Sequence, residues 1–312
     1  MNLKSTHSTL KNLKKVKPIF LQEKLSDGNS LNHNKFTKFG GLRKNGLFKS
    51  SDPGKPLISI ITVCYNSDKT IEDTINSVLH QTYDNIEYII IDGSSKDDTL
   101  KIIEKYESSI DLWVSENDSG IYNAINKGLK MSSGDIIGIL NSDDIYTNNA
   151  LSLVKKYFEN FEGVDFVFGS IIKERLLSGF AKEKIKWKFN IYPGHSSGFF
   201  ISKNAQLKVG LYDEKFELHA DYDLIYRLVC ELKIKGTAMD REDVTGKFNI
   251  HGKSSNESRI RYYFEEFKIR KKNKQNIFFI GLLVIIKIIY FYSLKILFIK
   301  KIFFFLRSKI NY

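Results

Sequence analysis

Three runs of mostly apolar, β-branched residues limit what this chain can fold into. They are Leu57–Val63, Ile86–Ile91 and Ile136–Leu140. A half-exposed strand alternates apolar with polar residues, whereas runs like these are buried on both faces. After the first run, Asn66, Ser67 and Asp68 offer helix caps, and Ile71, Ile75, Val78 and Leu79 follow at helical spacing. After the second, Asp92-Gly93-Ser94-Ser95 turns the chain into another helix, with Asp97 and Asp98 near its positive end. Leu112–Val114 reads as a short strand, and Ile121–Met131 and Ala150–Phe158 as helices. Alternating strands and helices predict an α/β fold, a mostly parallel central sheet flanked by helices. In such sheets ligands bind beyond the carboxyl ends of the strands. Here those ends carry Asn66, Asp92, Asn141, Asp143 and Asp144.

Beyond residue 160 the alternation weakens. Val164–Phe168 is one more expected strand, a loop spans Pro193–Gly198, and Asp221 leads an amphipathic helix over Tyr222–Leu232. A chain of 312 residues accommodates one large α/β domain with extensions, or two modest domains. With 42% hydrophobic and 27% charged residues it is neither disordered nor fibrous. There is no internal repeat, P-loop, zinc-type Cys/His spacing or GxGxxG.

The net charge of +12 is unevenly placed: +9 over residues 1–50, −8 over 51–250 and +11 over 251–312. A nucleic-acid binder would be expected to carry its positive stripe on the folded module, so that class is disfavoured. Basic flanks suit an anionic lipid surface better. An acidic core can hold a phosphate ligand only with a cation between them. Three segments follow: a basic, loosely ordered extension over 1–55, a domain over 56–255, and a basic, apolar helical tail over 256–312. In the tail, Ile277–Ile286 is uninterrupted, but Lys287, Lys295, Lys300 and Lys301 break up the rest. A span needs about 20 apolar residues, so a helix lying in the inner-membrane interface fits better. The plainer alternative is a helix packed on the protein itself or on a partner. Cys64 and Cys230 cannot form a disulfide framework, and residues 1–17 lack the apolar core of a secretory signal. The expected location is the cytoplasm, peripheral on the membrane's cytoplasmic face.

LISIITVCYN (57–66), Gln81-Thr82-Tyr83, Ile90-Ile91-Asp92-Gly93-Ser94, Ser119–Ala124, Asn126-Lys127-Gly128, Gly134-Asp135, Leu140–Asp144 and Ala220–Leu224 occur in one order. Together they resemble the family 2 glycosyltransferases of the GT-A fold, inverting enzymes of bacterial polysaccharide and glycan assembly, over roughly residues 56–255. The resemblance implies a nucleotide-sugar donor held by Thr62, Tyr65, Asn66, Asp92, Tyr122, Asn123, Lys127, Asn141 and Ser142. Asp92 would accept from the nucleotide base, which favours uracil and hence a UDP-sugar. Asn141-Ser142-Asp143 stands at the family's Asp-x-Asp position, with Asn141 where Asp is usual. Asp143, joined by His251, would hold Mn²⁺ or Mg²⁺ against the diphosphate. Asp221 would be the catalytic base, preceded by Ala220 rather than Glu, and His195 would line the acceptor site.

Plainer roles compete at each position. Asp92 can start its turn, Asp143 and Asp144 can cap a helix, Asp221 can be an N-cap, and a lone histidine can be structural. Asp223 is expected to face solvent or support the loop. The implied function is hexosyl or related transfer to a saccharide or lipid-linked acceptor. The alternative is a membrane-associated binding or scaffold protein with an inactive transferase fold. A nucleotidyltransferase would need a Gly-rich basic loop where Cys64-Tyr65-Asn66-Ser67 stands.

Overall fold

The computed structural model describes residues 14–15, 38–180, 196–249 and 259–293. Eight strands form the main sheet: β1 (Lys38–Gly40), β2 (Ile58–Cys64), β3 (Ile86–Asp92), β4 (Leu112–Ser115), β5 (Ile136–Asn141), β6 (Phe166–Phe168), β7 (Phe199–Ser202) and β8 (Gly236–Ala238). Their order is β8-β6-β7-β5-β2-β3-β4-β1. The inner strands β5, β2, β3 and β4 run parallel. β7 is antiparallel to both neighbours, and β1 is antiparallel to β4. The expected mostly parallel sheet is therefore mixed toward its edges. A smaller four-stranded sheet joins Leu176–Leu177, Ser170–Ile172, Val244–Lys247 and Ile145–Tyr146.

The helices are α1 (Ile71–Leu79), α2 (Thr99–Lys105), α3 (Ile121–Met131), α4 (Ala150–Asn160), α5 (Lys203–Val209), α6 (Ala220–Tyr226), α7 (Arg259–Lys272) and α8 (Ile277–Ser293). Successive strand side chains point to opposite faces, so the apolar strands feed two cores. On one face Ile58 and Ile60 of β2 and Ile90 of β3 join Ile71 and Ile75 of α1 and Leu151 and Val154 of α4. On the other, Ile61, Val63 and Ile91 join Ala124, Ile125 and Leu129 of α3 and Leu224 and Ile225 of α6. Each such side chain contributes about 1.5–3 kcal/mol when fully buried. The helix expected over Tyr222–Leu232 instead begins at Ala220 and passes into a π-helical segment at Arg227–Glu231.

Both basic ends are more engaged than their composition implies. Residues 38–49, expected within a loose extension, close the sheet edge. Arg43 is buried against Glu87 and donates to the Met131 carbonyl at 2.7 Å. Lys49 pairs with buried Asp111 at 2.8 Å. In the tail, Lys287 turns inward to Glu266 at 2.6 Å, and both are buried. No described helix is long and apolar enough to cross a membrane. Cys64 is buried, Cys230 half-buried, and neither is in a disulfide.

Glu87 also receives the Ser133 N–H at 2.7 Å and the Ser59 hydroxyl at 2.5 Å. Truncating one partner of a buried ion pair strands the other charge, at about 3–5 kcal/mol. Glu87→Ala should lose stability on that scale in urea denaturation. A loss under 1 kcal/mol would show the pair to be solvated.

Candidate active site

Register brings the polar strand ends together. Cys64 of β2 lies opposite Asp92 of β3, Val63 opposite Asn141 of β5, and Asp92 opposite Ser115 of β4. Beyond these ends lies a cleft of about 710 Å³. Its walls include Tyr65, Asn66, Ser67, Asp118, Asn141, Ser142, Asp143, Glu217, Leu218 and Asn249.

The first wall is the loop after β2. Asn66 has left-handed backbone, φ 51°, and so does Ser94 in the loop after β3, φ 61°. Such conformations are uncommon outside glycine and need holding. The two loops hold each other: the Asn66 N–H donates to Ser95 Oγ and the Lys96 N–H to Asn66 Oδ1, both at 2.8 Å. Between them Gly93 leaves room, since a Cβ there would stand 2.6 Å from Asp118 Oδ2.

Asp92 is 1% exposed. Its carboxylate accepts from the Ser115 hydroxyl at 2.6 Å, the Ser95 N–H at 3.1 Å and the Ser95 hydroxyl. It underpins the strand ends and is not on the cleft wall. The Cys64 thiol beside it is pushed well up by burial and by that negative charge.

The second wall is the turn after β5. Ser142 Oγ is 2.9 Å from Ser67 Oγ, tying this turn to the first. Asn141 donates to Ser196 Oγ at 3.2 Å, while its own Oδ1 is buried with no hydrogen-bond partner among the described residues. Asp143 is half-buried, and burial raises its carboxyl above the usual range. Asp144 is fully buried and accepts from the Asn249 N–H at 3.1 Å. Burial, with Asp143 beside it, lifts its pKa to about 8.

The third wall is the start of α3. Asp118 accepts from the Gly120 N–H at 2.9 Å and is raised chiefly by burial. Tyr122 stacks on Tyr212, centroids 5.4 Å apart, and its hydroxyl donates to Asp221 Oδ1 at 3.4 Å. Asp221 sits in the first turn of α6 and also receives the Tyr222 N–H at 2.8 Å. His219 is the N-cap residue, so Asp221 does not take the N-cap place open to it from sequence. Burial raises the Asp221 carboxyl to about 6, against the two hydrogen bonds.

Tyr65, Asn66, Asn141, Ser142 and Asp143 thus share the cleft, with Tyr122 and Asp221 paired beside its Glu217–Leu218 wall. Three donor candidates are engaged elsewhere. Thr62 is buried 3.1 Å from the Tyr88 hydroxyl. Asn123 donates to Glu214 at 2.8 Å. Lys127 is buried, pairs with Glu116 at 2.7 Å and donates to the Asn117 carbonyl. His195 and His251 lie outside the described residues. Glu217, Leu218 and Asn249 had carried no motif. Asp118 had a signal, an acidic residue next to a helix start, which reads equally as a cap.

The sequence model of glycosyl transferase family 2 matches residues 59–212. An uncharacterised glycosyltransferase of Mycobacterium tuberculosis is 32% identical over 209 residues, 61% of this chain and 76% of that protein. An Escherichia coli protein named UDP-Glc:alpha-D-GlcNAc-diphosphoundecaprenol beta-1,3-glucosyltransferase WfgD is 39% identical over 116 residues, 36% of this chain and 45% of its own length. Among solved structures, S. aureus TarS in complex with UDP aligns with a TM-score of 0.55 at 15% identity, covering 73% of this chain and 69% of that one. The Pyrobaculum calidifontis mannosyltransferase with GDP-Man and Mn²⁺ aligns with a TM-score of 0.54 at 17% identity, over 71% and 65%. With that family match, that order of motifs and a glycosyltransferase relative 32% identical over most of its length, the chain belongs to glycosyltransferase family 2.

Proposed function

We propose that the chain transfers a sugar, with inversion, from a nucleotide-sugar, UDP-linked by preference, to a saccharide or lipid-linked acceptor of cell-surface polysaccharide. The observation that carries this is the pair of desolvated carboxylates. Asp143 lines the cleft at the strand ends, and Asp221, three residues along the chain from the lining residue Leu218, is hydrogen-bonded by Tyr122. The E. coli relative's name, with a UDP-sugar donor and a diphosphoundecaprenol acceptor, supports that substrate class.

Asp221 suits the base. A carboxyl raised to about 6 is ionised at neutral pH yet more basic than an ordinary aspartate. Tyr122 donates to one carboxylate oxygen, leaving the other to take the acceptor hydroxyl proton. The acceptor oxygen bonds to the anomeric carbon as the bond to the diphosphate breaks and the nucleoside diphosphate leaves. One displacement with one base needs no covalent enzyme intermediate. Asn66 and Tyr65 line the donor side. Asp92 would reach a nucleotide base by releasing Ser95, whereas Asp118 already faces the cleft.

The site fits a Mn²⁺ or Mg²⁺ ion that takes most of its ligands from substrate and water. Asp143 is a desolvated carboxylate near the orphaned Asn141 Oδ1. The described residues contain no group of three His, Cys, Asp or Glu able to hold a metal. Asp143 would be the protein ligand, with His251 from outside the described residues. The ion would neutralise charge on the departing nucleotide.

Peripheral attachment at the cytoplasmic membrane face completes the reading. Phe278, Leu282, Ile285, Ile289 and Tyr292 form one exposed stripe on α8, Phe278 being 85% exposed. The only charge in that helix, Lys287, faces inward. This reverses the usual arrangement of a water-facing helix and suits an interfacial one.

Purified protein titrated with UDP-, GDP- and dTDP-sugars should bind one donor with Mn²⁺ and lose it in EDTA and in Asp143→Ala. Asp221→Asn should keep binding and lose about 10²–10⁴ in kcat. Absence of binding by folded protein to every donor would favour the inactive scaffold. In wild type, kcat should rise with pH through about 6 as Asp221 ionises and then level. A profile flat from pH 5 to 8 would remove Asp221 from the base role. Anionic vesicles should sediment the wild type but not Phe278→Glu/Ile285→Glu. Equal sedimentation of both would detach α8 from this role.

A further inference from the structure

Asp223 is two residues from the candidate base, on the same short helix, and is 0% exposed. Of the two expectations for it, facing solvent or supporting the loop, the first is therefore overturned. A buried carboxylate must be paired, and this one is enclosed by donors. Arg227 Nε reaches it at 2.9 Å from the next turn. The other donors come from the end of α7: Lys272 Nζ at 2.9 Å and Asn273 Nδ2 at 3.2 Å.

Other contacts from α7 and the turn after it reach α6 and the two residues before it. Glu265 accepts from the Leu218 N–H at 2.8 Å, and Tyr262 stacks edge-on against His219 at 4.9 Å. Gln275 donates to the Tyr222 hydroxyl at 3.2 Å, and the Arg270 guanidinium lies 5.4 Å from the Tyr222 ring centre. Meanwhile α6 has little internal reason to hold its place. It has 7 residues and no side-chain cap, and it runs into the π-helical segment at Arg227–Glu231. Short, irregular helices are stabilised by what they pack against.

We propose that α7 and the turn after it belong to the catalytic unit as the splint of α6, with Asp223, held by Lys272 and Asn273, a positioning residue for Asp221. The inference rests on Asp221 being the base. It also places the catalytic unit's boundary beyond residue 255, because the splint comes from residues 262–275. A misplacement of about 1 Å at a reacting group can cost roughly 10²-fold in rate. Loss of the clamp should therefore act on turnover more than on donor affinity, since Asp143 and Asn66 belong to other walls.

The test uses the full chain with the donor that the panel identifies. Asp223→Asn, Lys272→Met and Asn273→Ala are compared with Asp221→Asn for kcat, donor KM and thermal midpoint. Expected are kcat losses of roughly 10–100-fold with donor KM within about threefold of wild type, and recovery of most activity in Lys272→Arg. Folded variants with kcat within about twofold of wild type would overturn the proposal. So would parallel losses of kcat, donor affinity and folded fraction, which would make α7 a structural brace only. If Asp223→Asn does not fold, the two α7 substitutions decide. Wild-type turnover in Asp221→Asn would instead remove the base assignment itself, whatever the clamp variants do.

Discussion

The level ending of β2, β3 and β5 is the constraint on which the rest depends. Because Cys64 pairs with Asp92 and Val63 with Asn141, three loops leave the sheet at one height and must share one cleft. Hydrogen bonds then lock loop to loop. Ser95 joins Asn66, and Ser142 joins Ser67. A register slip of one residue would reverse the strand faces, and both cores with them. Asp92 serves this frame. Buried and bonded to Ser95 and Ser115, it ties the third strand end to the fourth.

Much of this architecture was legible in the sequence. Runs of Ile and Val buried on both faces can hardly be anything but inner strands of an α/β sheet, and the inner strand limits fell within a residue or so of the observed ones. Helix Ile121–Met131 was bounded correctly because Ser119-Gly120 marks a sharp entry. The strand order and the antiparallel β7 were not legible, since pairing direction depends on contacts far apart in the chain. The cleft loops were readable as strand ends. The saturation of Thr62, Asn123 and Lys127 was not, because it depends on Tyr88, Glu214 and Glu116.

Charge was the most misleading signal. Basic residues counted along the ends read as solvated flanks, yet several are buried and paired. Arg43 meets Glu87, Lys49 meets Asp111, and Lys287 and Arg270 share Glu266. Each acidic partner lies far off in sequence or on the next turn of a helix, so composition alone cannot distinguish a buried ion pair from a free surface charge. Glu266 ties α8 to α7, and a further pair, Lys272 with Asp223, ties α7 to α6. The helix that bears the candidate base and the helix that exposes an apolar stripe thus belong to one connected layer.

The proposed reaction is a single displacement assisted by Asp221. The most direct measurement is the anomeric configuration of the product, read by proton NMR of the new glycosidic linkage beside the donor. Inversion is the predicted result. Retention of the donor's configuration would contradict the account, because it demands a second displacement or a front-face path that one base at Asp221 does not provide.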